Sequence, residues 1–223
     1  MGTVDRRTDV VIVGGGQSGL AMSSRLSDRG VDHVVLERDE VASSWRRQRW
    51  DSFTLLTPNW QTRLPGAAYD GDDPDGFMTR SEIAMFLAQY ASTISAPLKY
   101  GSTVTRISQT SDGYAVETDG PLWACRSVVL AGGACNLPTI PDCAEGVPDG
   151  INQVNPLEYR SPDQLAAGGV LVVGAAATGI QLADEIHRSG RPVTLSIGEH
   201  VRMPRLYRDR DIQFWLDAIG RLD

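Results

Sequence analysis

The apolar positions of the chain fall into two periods, and the switches between them mark its elements. In Asp9-Val10-Val11-Ile12-Val13 the four residues after Asp9 are a continuous β-branched run, the pattern of a strand buried on both faces. It enters Gly14-Gly15-Gly16-Gln17-Ser18-Gly19, after which Leu20, Met22 and Leu26 recur at helical spacing until Gly30. Asp32 to Glu37 predicts a second buried strand. Residues 39–80 lose any period; they hold Trp45, Trp50 and Trp60, the cluster Arg46, Arg47 and Arg49, and an acidic stretch from Asp70 to Gly76 that reads as a solvated loop. Ser81-Glu82 opens a helix reaching Ala96, with Ile83, Phe86, Leu87 and Tyr90 on one face. Thr103 to Arg126 predicts a small antiparallel meander with a turn at Asp112-Gly113. Ser127 to Ala131 predicts another buried strand, ending at Gly132-Gly133, and the Pro-rich stretch Asn136 to Pro162 predicts a crossover. The first pattern then returns. Val170 to Val173 is a strand, Gly174-Ala175-Ala176-Ala177-Thr178-Gly179 a loop, Ile180 to Ile186 a helix stopping at Gly190, and Pro192 to Ile197 a strand. A last helix is expected over Asp211–Ala218.

Composition narrows the class. The 223 residues are 41% hydrophobic and 22% charged, the balance of a globular chain. The formal net charge of −7 argues against a partner read through a phosphate backbone, so no nucleic acid is expected. No apolar run reaches the roughly 18 residues a membrane span needs, and the first apolar stretch is too short and Gly-rich for a signal peptide; a cytoplasmic protein is expected. Cys125, Cys135 and Cys143 form no CxxC pair, and His33, His187 and His200 do not cluster, so no metal site is expected. Cys135, after the Gly132-Gly133 turn, reads as a buried inert thiol.

The glycines carry the chemistry. In Gly14-x-Gly16-x-x-Gly19 the first glycine makes the tight turn, the second lets a pyrophosphate approach and the third lets helix and strand pack closely. The helix N-terminus adds free N–H groups. Glu37 closes the second strand and suits the 2′ and 3′ hydroxyls of an adenosine ribose. Gly174 to Gly179 repeats the loop with Ala176 at the middle position, where a methyl restricts the approach. After the second strand of that unit, Arg202 or Arg205 could pair with a ribose 2′-phosphate, favouring NADPH, while Glu199 could accept hydroxyls, favouring NADH; the two arginines tip the reading to NADPH with NADH as the alternative. Two such units suggest two nucleotides, FAD held and NAD(P)H diffusing. A disulfide reductase would need a redox cysteine pair, which the sequence lacks.

The chain resembles the class B flavoprotein monooxygenases (the flavin-containing and Baeyer–Villiger enzymes) over their N-terminal portion. The resemblance lies in Val11 to Gly19, in Leu36-Glu37-Arg38, in Ser44-Trp45-Arg46, in Leu130-Ala131-Gly132-Gly133 and in the loop at Gly174. It departs at the linker fingerprint: Tyr159 and Arg160 fit, but Asn155 stands where that family has His. The implied fold is α/β, a Rossmann-like FAD-binding domain with a small antiparallel meander over 1–160, lacking its usual C-terminal completion, then a partial, incomplete Rossmann-like NAD(P)-binding domain over 161–223. The implied FAD contacts are Gly14, Gly16, Gln17, Ser18, Gly19, Glu37, Arg38, Trp45, Arg46, Asn59, Val104, Ala131 and Gly132. The implied NADPH contacts are Gly174, Thr178, Gly179, Arg202 and Arg205. No catalytic residue is named, because the chemistry would belong to the flavin. The implied activity inserts one atom of dioxygen into a small organic substrate through a flavin C4a-(hydro)peroxide. The alternatives are a flavin oxidoreductase without oxygen insertion, or a non-catalytic fragment or subunit. A homo-oligomer or a missing C-terminal partner would supply the completion.

Overall fold

A computed structural model describes residues 4–199 and 203–222, which divide into two compact units. The first takes in residues 4–48, 63–68 and 80–138. Its elements are β1 (Arg6–Val13), α1 (Gln17–Ser27), β2 (His33–Leu36), α2 (Ser43–Arg47), β3 (Arg63–Leu64), β4 (Ala67–Ala68), α3 (Arg80–Thr93), β5 (Leu98–Lys99), β6 (Val104–Thr110), β7 (Gly113–Thr118) and β8 (Trp123–Leu130). Six strands form one sheet in the order β5-β2-β1-β8-β7-β6, with β3 and β4 a separate small hairpin. β1 is parallel to both β2 and β8, and β2 to β5; β6, β7 and β8 run antiparallel. Parallel pairing thus dominates around β1, as the apolar run Val10 to Val13 in its second half requires. Val11, Val34, Leu36, Val116, Trp123 and Cys125 form the core on one face. Val10, Ile12 and Val35 form it on the other. Burying each such aliphatic side chain contributes about 1.5–3 kcal/mol.

The last strand of the meander and the strand after it, expected as separate elements meeting at Arg126, are one strand, β8. Trp123, Ala124 and Cys125 pair with β7 on one edge, and β8 pairs with β1 along its length, Arg6 opposite Trp123 and Val13 opposite Leu130. Arg126 and Ser127 resemble a break only because both side chains are exposed. The far end of β8 is also not the buried strand expected: Leu130 is 76% exposed. On α3 the inner face is Ile83, Ala84, Leu87, Tyr90 and Ala91, with Phe86 only half-buried.

The second unit takes in residues 49–62, 69–79 and 139–222, of which 200–202 lie outside the described residues. It contains β9 (Val170–Val173), α4 (Ala177–Arg188), β10 (Val193–Ser196), β11 (Leu206–Tyr207), β12 (Arg210–Asp211) and α5 (Ile212–Ala218), besides single turns at Asn59–Gln61, Asp142–Gly146 and Pro162–Gln164. β9 and β10 are a parallel pair, Val173 opposite Ser196. Leu182 and Ile186 of α4 are buried with Trp50 and Tyr159, and half-buried Val170, Val172 and Val193 pack on them. The strands of this unit are covered on one face: Leu171 and Val173 are more than 60% exposed.

Between β11 and β12, Arg208 and Asp209 both take left-handed backbone conformations (φ 49° and 57°). That is the geometry of a type I′ hairpin turn, which favours Asn-Gly. A side chain held there costs energy that glycine does not incur. Asp209→Gly is expected to stabilise the second unit by roughly 0.5–1 kcal/mol. A denaturant titration giving an unchanged or lower midpoint would refute this.

Candidate functional site

The first glycine loop joins the C-terminal end of β1 to α1. The Gly14 N–H donates to the Leu36 carbonyl at 2.8 Å, locking the loop to the end of β2. Gly14 has φ +107°, and a Cβ there would come within 2.5 Å of the Ala131 carbonyl oxygen. Ala131 in turn donates its N–H to Val13 at 2.8 Å. The ends of β1, β2 and β8 therefore meet at Gly14, and Ala131 and Gly132 stand beside it. Gly16 differs from its neighbours. It caps α1 in an extended conformation (φ −83°, ψ −171°) open to any residue, and no atom lies within 4 Å of where its Cβ would be. Its missing side chain leaves an open cradle above the α1 N-terminus, where Gln17 and Ser18 are exposed.

Glu37 follows β2 directly. Its side chain is buried, and both carboxylate oxygens accept backbone bonds: Oε2 from Gly15 N–H at 2.7 Å and Oε1 from Asp39 N–H at 3.0 Å. The carboxylate is thus held in place at the loop, and each oxygen keeps a further lone pair. Arg38 points to solvent. Val104 packs against the core face that contains Val11. Trp45 lies half-buried in α2; Arg46, next to it, is exposed, 3.8 Å from Glu40.

Asn59 belongs to the second unit and is 5% exposed. Its Oδ1 accepts the Met78 N–H at 2.7 Å, and its Nδ2 donates to the Asp73 carbonyl at 2.9 Å. The amide expected to contact a flavin bonds backbone, and the acidic stretch is the solvated loop expected, exposed from Asp70 to Asp75, with its Asp73 carbonyl held by Asn59. In the second glycine loop Gly174 N–H donates to the Ser196 carbonyl at 3.0 Å, repeating the first loop's lock. Ala176 caps α4 with φ −74° and ψ 179°, as extended as Gly16, so alanine costs the backbone nothing. Thr178 and Gly179 lie half-buried in the first turn of α4. Arg202 lies outside the described residues. Arg205 donates to the Leu56 carbonyl at 2.6 Å and pairs with Asp211 at 2.6 Å. Sequence reasoning does not single out Asp211; its signal is that of a helix N-cap, and its other oxygen accepts the Gln213 N–H at 2.8 Å.

Two titratable groups stand out. Burial pushes the Cys125 thiol up, which makes it inert. Cys135 is exposed, against the expectation of a buried thiol; Asn136 beside it donates to the carbonyls of Gly132 and Gly133. Burial, then the neighbouring Glu185 carboxylate, pushes the Tyr159 phenol well above its ordinary value, opposed by Arg191. The folded protein keeps this phenol protonated, whereas the unfolded chain releases the proton near pH 10. The stability it contributes is complete below about pH 10 and is lost as pH rises further, by up to about 1.4 kcal/mol per unit. Tyr159→Phe should flatten that alkaline slope. Equal slopes for both proteins in urea titrations at pH 9 and 11 would disprove the assignment.

The model of the pyridine nucleotide-disulphide oxidoreductase family matches residues 11–219. The chain belongs to that family. Within this oxidoreductase family it is similar to an uncharacterized CzcO-like oxidoreductase of Geobacillus kaustophilus, 34% identical over 216 residues, covering 96% of this chain and 62% of the relative. It is similar to indole-3-pyruvate monooxygenase YUCCA1 of Oryza sativa subsp. japonica, 30% identical over 200 residues, covering 87% of this chain and 49% of that protein. Among solved structures, a flavin-containing monooxygenase from Stenotrophomonas maltophilia superposes with a TM-score of 0.83 at 25% identity, covering 95% of this chain and 63% of that one. The chain thus spans about three-fifths of the length of the first of these relatives. The resemblance to flavin monooxygenases read from Gly14 to Gly19, Glu37 and Trp45 is borne out. Among the described residues no helix is long and apolar enough to cross a membrane.

Proposed function

We propose that this chain is the nucleotide-binding portion of an FAD-dependent, NAD(P)H-using monooxygenase. One observation carries the reading: an open cradle at Gly16 with the held Glu37 carboxylate beside it. A diphosphate needs room and free N–H donors, and a ribose needs a fixed acceptor. The fit is therefore good. Gly14, Gly16, Gln17, Ser18 and Gly19 would take the pyrophosphate, Glu37 the ribose hydroxyls, and Arg38, Val104, Ala131 and Gly132 would border the same nucleotide. Trp45 and Arg46 would flank the flavin. The loop from Gly174 to Gly179, with Thr178, would take the nicotinamide nucleotide, so that FAD binding falls within 1–160 and NAD(P) binding within 161–223. Bound flavin supplies hydride acceptance and transfer of one oxygen atom from dioxygen to a small organic substrate. The residues of this chain bind and orient; none is required to act as acid or base.

The test is a visible spectrum of the purified chain, followed by NADPH and NADH in air. Flavin absorption that bleaches on adding nucleotide supports an oxidoreductase, and oxygenated product from a sulfide or amine screen supports the monooxygenase. Bleaching without product favours a plain flavin oxidoreductase. A colourless protein that takes up no added FAD overturns the proposal and leaves a non-catalytic fragment.

A further inference from the structure

The helix that carries Trp45 has little of its own to hold it. α2 spans five residues, too few to persist as an isolated helix, and none of them is buried. Its N-cap, Ala42, takes a left-handed backbone conformation (φ 61°, ψ 23°) and makes no side-chain cap bond. Val41 and Ala42 are buried and anchor its start.

Charge ties the other end of α2 back to the chain leaving β2. Arg47 Nη1 lies 2.7 Å from Asp39 Oδ2, and Arg47 Nη2 donates to Glu40 Oε1 at 3.4 Å. Arg46 Nη1 lies 3.8 Å from Oε2 of the same glutamate. Asp39 is engaged at both of its ends. Its carboxylate meets Arg47, and its N–H donates to Glu37 Oε1 at 3.0 Å. A shift of α2 would therefore pull on Asp39 and take away one of the two N–H groups that fix the Glu37 carboxylate. The Arg47 side chain is 62% exposed and that of Asp39 32%. Such pairs contribute little to global stability, and salt reaches them. Here they act on a short helix with no buried residue, where a weak hold decides position.

We propose that Arg47 is a positioning residue of the flavin site: through Asp39 and Glu40 it sets the placement of Trp45 and the hold on Glu37 together, and salt loosens both. The inference rests on the proposed function, in which Trp45 flanks the flavin and Glu37 takes the ribose.

The experiment is titration of the 223-residue chain, stripped of flavin, with FAD, followed by flavin fluorescence, with thermal melts alongside. Arg47→Gln and Asp39→Asn should each weaken FAD binding about fivefold at low salt, with the melting temperature within about 3 °C of wild type. The double variant should be no weaker than either single one, because both remove the same pair. Arg47→Lys should recover most of the loss, since an ammonium still pairs with Asp39. About 0.5 M salt should weaken the wild type about threefold more than it weakens Arg47→Gln. Wild-type affinity in Arg47→Gln overturns the proposal and leaves the proposed function standing. Losses that add in the double variant overturn the link through Asp39. A loss of affinity matched by a collapse of the melting temperature assigns Arg47 to the fold and overturns the positioning role. A wild-type chain that takes up no FAD overturns the proposed function, and the inference with it.

Discussion

Gly19→Ala is expected to disrupt the first glycine loop outright, whereas Gly16→Ala should leave the fold intact and, on the proposed function, lower only cofactor binding. The two glycines share one motif but answer different demands. A Cβ on Gly19 would overlap the carbonyl oxygen of Gly14 and approach Ile12. Both ends of the overlap with Gly14 are backbone. Gly14 is pinned by its bond to Leu36 and packed against Ala131, and Gly19 lies in the first turn of α1. Neither can yield without pulling α1 off β1, so a loss of about 3 kcal/mol or more is expected. At Gly16 the backbone is already in a conformation alanine adopts, and a methyl meets nothing within 4 Å. Its stability should stay within about 0.5 kcal/mol of wild type. If a pyrophosphate occupies that cradle, the methyl takes its place, and retained flavin should fall at least tenfold. Thermal melts and the ratio of flavin to protein absorbance read the two effects separately. A Gly16→Ala protein with full flavin content would mean that the cradle is not the cofactor site. Gly179, whose Cβ would overlap the Gly174 carbonyl, should behave as Gly19 does.

Glycines at this spacing state a backbone requirement directly, which is why both β-loop-α-β units are legible in the sequence alone. Local pattern carries β1, β2, β9 and β10 and the helices between them. What escapes it depends on partners distant along the chain. The union of the meander with β8 is set by pairing to β1, more than a hundred residues earlier, and Arg126-Ser127 reads as a boundary because both face solvent. Exposure of Leu130, Leu171 and Val173 is hidden for a related reason: an apolar run shows a strand that can be covered, not what covers it. Arg205 reads as a phosphate partner because its guanidinium suits one. Its Asp211 partner is six positions on, brought back by a two-residue hairpin that Arg208 and Asp209 do not announce. An acid closing β2 is legible at Glu37, but its engagement by the Gly15 and Asp39 N–H groups is not.

Asn59→Asp is expected to destabilise the second unit by about 3 kcal/mol at neutral pH, the larger of the two effects expected at this residue. The change keeps shape and removes one donor. Oδ1 would still accept the Met78 N–H, but the Nδ2 donor to the Asp73 carbonyl becomes a second oxygen. Two acceptors then face each other across 2.9 Å, and a charge sits at a position only 5% exposed. Asn59→Leu removes both bonds without adding charge, leaving the Met78 N–H and the Asp73 carbonyl unpaired, and should cost nearer 2 kcal/mol. Acid distinguishes the two variants. A protonated carboxyl donates as the amide did, so burial raises the folded pKa of the introduced group above the ordinary aspartate value near 3.9. Stability relative to wild type is therefore regained as pH falls through that raised value and lost again as pH rises. The Asn59→Asp deficit should shrink between pH 7.5 and 5, and that of Asn59→Leu should not. Proteolysis within residues 70–76 reports the same opening locally. If Asn59 served a flavin instead of the backbone, Asn59→Asp would change flavin affinity while the 70–76 segment kept its protease resistance.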